Sequence, residues 1–214
     1  MSTLVNPGEG RMDSWQLGES ADEFVNRLPP LTTSGEVYDW IWVHNPHDHA
    51  RNNGTAKQEQ RNVEEFETRG RQLLAERLEK NLLKQRINNL AVETNVIDGK
   101  WMLFPSLDNV TQVWRLIVDA VINNRLGCTA KVSPDQGTNK ARLICVYTND
   151  FRDQESIRRV LQELVSMGVT GSRPIFYKSD AYTILGIYRE TAARFGLHAS
   201  IYSSQKMLDK VRKK

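Results

Sequence analysis

Gly99-Lys100-Trp101-Met102-Leu103-Phe104-Pro105 opens the stretch that decides the fold, which runs on to Lys178. Its apolar positions change period in a readable order. Gly99–Leu103 reads as a strand, and Val110, Val113, Trp114, Ile117, Val118 and Val121 form one stripe of a helix. Ala130-Lys131-Val132 and Leu143–Thr148 read as two further strands. Ile157, Val160, Leu161, Leu164 and Val165 mark a second amphipathic helix, and Ile175–Lys178 another strand. Asp108 and Asp153 suit the two helix N-termini, with Gly127 and Gly168 as the stops. Apolar helices recurring beside such strands build an α+β fold: a curved, mainly antiparallel sheet with both helices on one face and the other face open to a ligand.

Outside this block the pattern is looser. Met1–Asp13 is polar and lacks the apolar core of a secretion signal, so it is expected to be disordered. Ser20 can cap a short helix through Leu28, stopped by Pro29-Pro30. Val37–Val43 alternates as a strand, with Trp40 and Trp42 on one side. Val63, Phe66, Leu73, Leu74, Leu78 and Leu82 predict one long helix from Thr55 to Asn88. Thr183–Arg189 reads as a strand, with a short last one at Ile201-Tyr202. The expected organisation is a single α+β domain over residues 14–204, followed by a basic tail at 205–214.

Composition narrows the function classes. A net charge of +3 permits an anionic ligand but is far from the basic footprint of a duplex-DNA binder. No stretch has the apolar length of a membrane span. Cys128 and Cys145 lack metal or redox spacing, which suits a reducing compartment, cytoplasmic or nuclear, and leaves the sequons at Asn53 and Asn109 without weight. His44, His47, Asp48 and His49 lack the spacing of a fourth ligand and read as a polar loop, not a metal site. No glycine loop of the nucleotide-binding type is present, so neither metal nor cofactor is expected.

Several of these residues carry a resemblance. Gly99–Leu103, Val113-Trp114, Lys140–Thr148 and Asp153–Gly168 follow in the order found in the cap-binding translation initiation factor 4E-like fold. The wider pattern of Lys100-Trp101, Ala130–Ser133, Ile144–Thr148, Tyr177-Lys178 and Leu185–Tyr188 resembles the basophilic-leukaemia-expressed protein family over Gly99–Tyr202. The initiation-factor likeness implies two aromatic planes around a methylated guanine, a carboxylate on its edge and basic residues on the phosphates. Here the segment expected to supply the second plane, Leu90–Asn95, has an acid but no aromatic.

A second likeness is to the bacterial phosphothreonine lyases, through Lys100-x-Met102, Ala130-Lys131-Val132, Val146-Tyr147 and Tyr188-Arg189. It implies Lys131 as the base that takes the proton alpha to the carbonyl, Arg142 and Arg189 as phosphate clamps, and Lys100 as a phosphate contact. The position of the proton-donating histidine holds Met102, which has no proton to give.

Both likenesses converge on phosphate. The sequence therefore predicts a non-catalytic binding module for a phosphate-bearing ligand, RNA or a nucleotide, with a phosphothreonine-lyase-like enzyme or a degenerate relative as the alternative. The ligand residues expected are Lys100, Lys131, Arg142, Lys178 and Arg189, with Trp40 and Trp42 as stacking platforms. Trp101 and Trp114 are expected in the core.

Overall fold

Alternating apolar residues in the decisive block do build one sheet. The computed structural model describes residues 4–48 and 61–212. Its strands are β1 (Ile41–His44), β2 (Gly99–Leu103), β3 (Thr129–Val132), β4 (Ile144–Thr148), β5 (Phe176–Ser179) and β6 (Tyr202–Ser203). They form a curved sheet in the order β1-β3-β4-β2-β5-β6, and every neighbouring pair is antiparallel.

Side chains alternate across a strand, so the register fixes which residues share a face. Ile41 pairs Val132, Ala130 pairs Val146, and Val146 and Tyr177 flank Trp101. All of these are buried, and they form one apolar face. Helices α4 (Leu107–Ile122) and α5 (Gln154–Ser166) press their stripes onto it, through Val110, Trp114, Ile117 and Val121 in α4 and Ile157, Val160 and Leu164 in α5. The Trp101 indole N–H donates to the Ile157 carbonyl at 3.0 Å, tying β2 to the start of α5. Trp114 is fully buried against Phe24 of α1 (Ala21–Arg27). Both tryptophans are core residues.

Helix ends follow the sequence in one case and depart from it in another. The Asp153 side chain accepts from the Glu155 and Ser156 amides, and Gly168 turns the chain at φ 70°. In α4, by contrast, Ser106 holds the N-cap position and Asp108 lies in the first turn, where its charge complements the helix dipole. That helix stops at Ile122, ahead of Asn124 in a left-handed conformation. Gly127 serves a different purpose: a Cβ there would lie 1.8 Å from the Tyr147 carbonyl oxygen. Only glycine lets the chain entering β3 approach β4 so closely.

Four further expectations change. The strand near residue 40 begins at Ile41, because Val37 and Tyr38 are held in a turn by the Ser34 carbonyl. The single long helix is two, α2 (Val63–Ala75) and α3 (Lys80–Glu93), broken at Arg77 with φ 50°. The Glu79 carboxylate accepts from the Asn81 and Leu82 amides and so starts a second helix; the expected start near Thr55 falls outside the described residues. Thr183–Arg189 is not a strand. Ser179 caps α6 (Asp180–Ile184), Gly186 reverses the chain at φ 66°, and α7 (Arg189–Ala192) follows. The chain from 205 to 212 is helical, within α8 (Ser204–Arg212), and Met207 packs in the core.

Residues 4–13, expected to be disordered, form hydrogen-bonded turns that strap the outer side of β1. The Asn6 side chain donates to the Trp15 carbonyl at 2.7 Å, and the Trp42 amide donates to Asp13 at 2.8 Å. Among the described residues, no helix is long and apolar enough to cross a membrane.

Candidate functional site

The same register that packs one face lines up the other. One row across the sheet reads His44, Thr129, Tyr147, Lys100, Lys178, each residue the partner of the next. The adjoining row reads Trp42, Lys131, Cys145, Met102, Phe176. Neither α4 nor α5 covers this second face, yet its centre is not bare. Lys100 is 6 % exposed, Lys178 3 % and Tyr147 6 %. Lys100 and Lys178 are therefore largely dehydrated, and a third lysine on the same face, Lys131, is half-buried.

Only one of them has a carboxylate. The Lys100 ammonium donates to the Asp180 carboxylate at 2.5 Å and to the Thr183 hydroxyl at 3.0 Å. Asp180 also receives Arg61 at 2.9 Å, and Arg61 reaches Asp98 at 3.4 Å. Burial works against the Asp180 charge, but Lys100 and Arg61 outweigh it and hold this carboxyl below the usual range. The placement follows from the turn out of β5: Ser179 caps α6, which sets Asp180 at the end of the strand beside Lys100.

Lys131 and Lys178 have no ion-pair partner among the described residues. They rest on aromatic faces instead, whose negative quadrupole attracts an ammonium. The Lys131 nitrogen lies 3.9 Å from the Trp40 ring centre, 4.7 Å from Trp42 and 5.8 Å from Tyr147. The Lys178 nitrogen lies 3.8 Å from the Tyr188 ring centre. Burial lowers the pKa of Lys131, and Lys178 is pulled down to about 8 by burial and by the charge of Lys100. Cys145 lies among these lysines, yet burial pushes its thiol up to about 11, so it is a poor nucleophile at neutral pH. It is a free thiol, as is Cys128.

Of the residues expected to bind ligand, the structure brings together Lys100, Lys131, Lys178, Trp40 and Trp42. Arg142 goes elsewhere. It is buried in the turn between β3 and β4, where it binds the Asp135 carboxylate and the Thr138 and Lys140 carbonyls. Its guanidinium closes that turn and does not reach the lysine row. Arg189 lies at the rim, exposed beside Tyr188. Met102 sits in the middle of the second face, beside Cys145 in register. In the polar loop, Asp48 accepts from Asn149 at 3.0 Å, and His49 lies outside the described residues. Among the described residues, no three His, Cys, Asp or Glu side chains are placed to hold a metal.

Sequence reasoning missed Asp180, Arg61, Tyr147 and Tyr188. The pair Ser179-Asp180 directly after a strand is a helix-start signal that locates Asp180. Nothing local announces that Arg61 reaches it from 119 residues away.

The sequence matches the family described as basophilic leukemia-expressed protein Bles03 over residues 1–82 and 76–186. The chain belongs to the Bles03 family. That match includes β1, Trp40 and Trp42, Lys100, Lys131 and Lys178, so both rows of the second face lie within it. Among solved structures, the chain is similar to Ascaris suum eIF4E-3 in complex with an m2,2,7G cap, at 20 % identity and a TM-score of 0.34. That similarity covers 41 % of the Bles03-family chain and 53 %, about half, of the worm protein.

Proposed function

We propose that this Bles03-family chain is a non-catalytic binding module for a phosphate-bearing ligand, RNA or a nucleotide, in a reducing compartment, cytoplasmic or nuclear. The reading is carried by one observation. Lys131 is held among Trp40, Trp42 and Tyr147 on the face it shares with Lys100 and Lys178, and among the described residues Asp180 is the one carboxylate bonded to any of the three lysines. A desolvated cation without a carboxylate is costly, and a phosphate oxygen relieves that cost. Lys131, Trp40 and Trp42 are only half-buried, so the ligand enters at that end. The indoles there offer a base a stacking surface while Lys131 meets the phosphate.

The test is titration of nucleotides, short RNA and phosphothreonine peptides against wild type and Lys131→Ala. Affinity should fall with the substitution and with rising salt, most steeply for RNA. If no phosphorylated ligand binds at low salt, or if Lys131→Ala binds as wild type does, the reading is wrong. The lyase alternative has one observation in its favour, the lowered pKa of Lys131, which makes its amine a better base. Release of inorganic phosphate from a phosphothreonine peptide, lost in Lys131→Ala, would establish it in place of the binding module.

A further inference from the structure

One row of the second face carries an aromatic ring at each end. It runs Trp42, Lys131, Cys145, Met102, Phe176, from β1 to β5. At the β1 end Trp40 adds a second indole, and both indoles meet the Lys131 ammonium. At the β5 end Phe176 is 46 % exposed, and Phe104, directly after β2, is 63 % exposed. Between the ends, Met102 and Leu143 pack with Cys145 and Tyr147 in a small apolar cluster separate from the main core. A contiguous apolar strip of this kind marks a binding surface.

Its electrostatics select the occupant. Neither row of the second face holds a carboxylate, and three lysines lie in the two rows. Lys140, in the turn between β3 and β4, and Arg173, ahead of β5, are exposed at the end of the sheet where Trp40 and Phe176 lie. Neither forms an ion pair among the described residues. An apolar strip edged by positive charge suits flat rings strung on an anionic backbone.

We propose that this row binds a single-stranded polynucleotide laid across the strands, with one base on Trp40 or Trp42 and a later one on Phe176. The proposal rests on the binding reading above and fixes its ligand as a strand, not a lone nucleotide. Four inter-strand spacings separate β1 from β5. At about 4.8 Å each they amount to roughly 19 Å, whereas neighbouring stacked bases rise only about 3.4 Å. One base cannot cover both platforms. Several nucleotides can, with the bases between them crossing Met102 and Leu143. Open sheets that display aromatic side chains hold splayed bases in this way, and a duplex keeps its base faces hidden from them. Lys131 stands beside the indoles on a flexible stem, so its ammonium can turn from ring to phosphate as a base arrives.

The experiment titrates the full chain with UMP, hexauridylate, hexathymidylate and an RNA duplex. Hexauridylate should bind at least about tenfold more tightly than UMP, because a further base on an aromatic platform is worth that factor or more. Phe176→Ala should lose roughly that factor for hexauridylate and leave UMP unchanged, whereas Lys131→Ala should weaken both. Hexathymidylate should bind as hexauridylate does, since the platforms read base faces; binding of the ribose strand alone would support the proposal for RNA only. Equal affinity for UMP and hexauridylate overturns the extended strand and leaves the single-nucleotide reading standing, and so does a Phe176→Ala chain that binds hexauridylate as wild type does. Duplex binding as tight as hexauridylate also overturns it, because backbone charge would then suffice. A dimer that Phe176→Ala dissociates in sizing chromatography would give the strip to a second copy of the chain and overturn it as well. Absence of binding by every ligand removes both this proposal and the reading beneath it. The comparison of UMP with hexauridylate on wild type decides the matter if the variant does not fold.

Discussion

Lys100 and Lys178 face each other across β2 and β5, and a single carboxylate, Asp180, is bonded to the first and not the second. Two identical side chains one strand apart thus sit in opposite electrostatic states. One is a neutralised structural pair, the other a retained excess charge.

Removing that carboxylate should be costly. Asp180→Asn leaves Lys100 buried without its counter-charge, and such breakage typically costs about 3–5 kcal/mol. Urea titration checks it; a loss below roughly 1 kcal/mol would mean that Lys100 reaches water in the variant. The acid side carries a second signature. Because the folded pKa of Asp180 is lowered, its contribution is complete above the ordinary carboxylate range of about 4 and disappears as pH falls through the lower folded value. The stability difference between wild type and Asp180→Asn should shrink over that acid interval.

Lys178 gives the reverse dependence. Its folded pKa of about 8 lies below the ordinary 10.5, so the unfolded chain binds more protons between those values. Stability contributed through this group therefore rises with pH from 8 to 10.5. Lys178→Met, of similar length and without charge, should be at least as stable as wild type at pH 7 and should lack that rise. Subtracting the two profiles isolates Lys178 from the opposing titration of Cys145. Identical profiles would place the Lys178 amine in water.

Trp114 tests the core. Trp114→Ala should cost about 3–5 kcal/mol, the usual range for a fully buried large aromatic. Its indole N–H is buried with no hydrogen-bond partner among the described residues, so Trp114→Phe forfeits only volume and should retain most of the stability. A phenylalanine variant as unstable as the alanine one would show a bonded N–H.

Gly127→Ala should be among the most damaging small changes in the chain. The added methyl collides with the Tyr147 carbonyl, a backbone atom that no rotamer change can move. A loss of about 3 kcal/mol is expected from such overpacking, together with faster hydrogen exchange along β3 and β4. Exchange unchanged in those strands would mean that the loop before β3 absorbs the clash.

The chain states its layers openly and its ion pairs hardly at all. The stripes from Val110 to Val121 and from Ile157 to Leu164 are local periodicities, and the structure uses both as the backing of the sheet. Trp101 and Trp114 were legible as core for the same reason. The helix break at Arg77 was hidden because the apolar spacing continues through it, and only the cap from Glu79 marks the restart. The four apolar residues around Gly186, Ile184, Leu185, Ile187 and Tyr188, fit a strand as well as two short helices, and the Ser179 cap decides between them. The lysine row itself depends on register, which pairs residues 78 positions apart in sequence, Lys100 with Lys178. Arg142 illustrates the limit from the other side: a basic residue beside a strand looked like a phosphate contact, but Asp135, seven residues earlier, had already engaged it.

The strap laid by residues 4–15 also governs how copies of this chain meet. β1 is the outermost strand on its side, and an outer strand offers unpaired amides and carbonyls to any passing chain. Here the Trp42 amide donates to Asp13 and the Trp42 carbonyl accepts from Trp15, so the central groups of that border are already taken. At the opposite border β6 is only two residues long and leads straight into a helix. Strand-to-strand stacking of neighbouring molecules thus finds no long template at either end, and a chain shortened past Trp15 would be the form to precipitate.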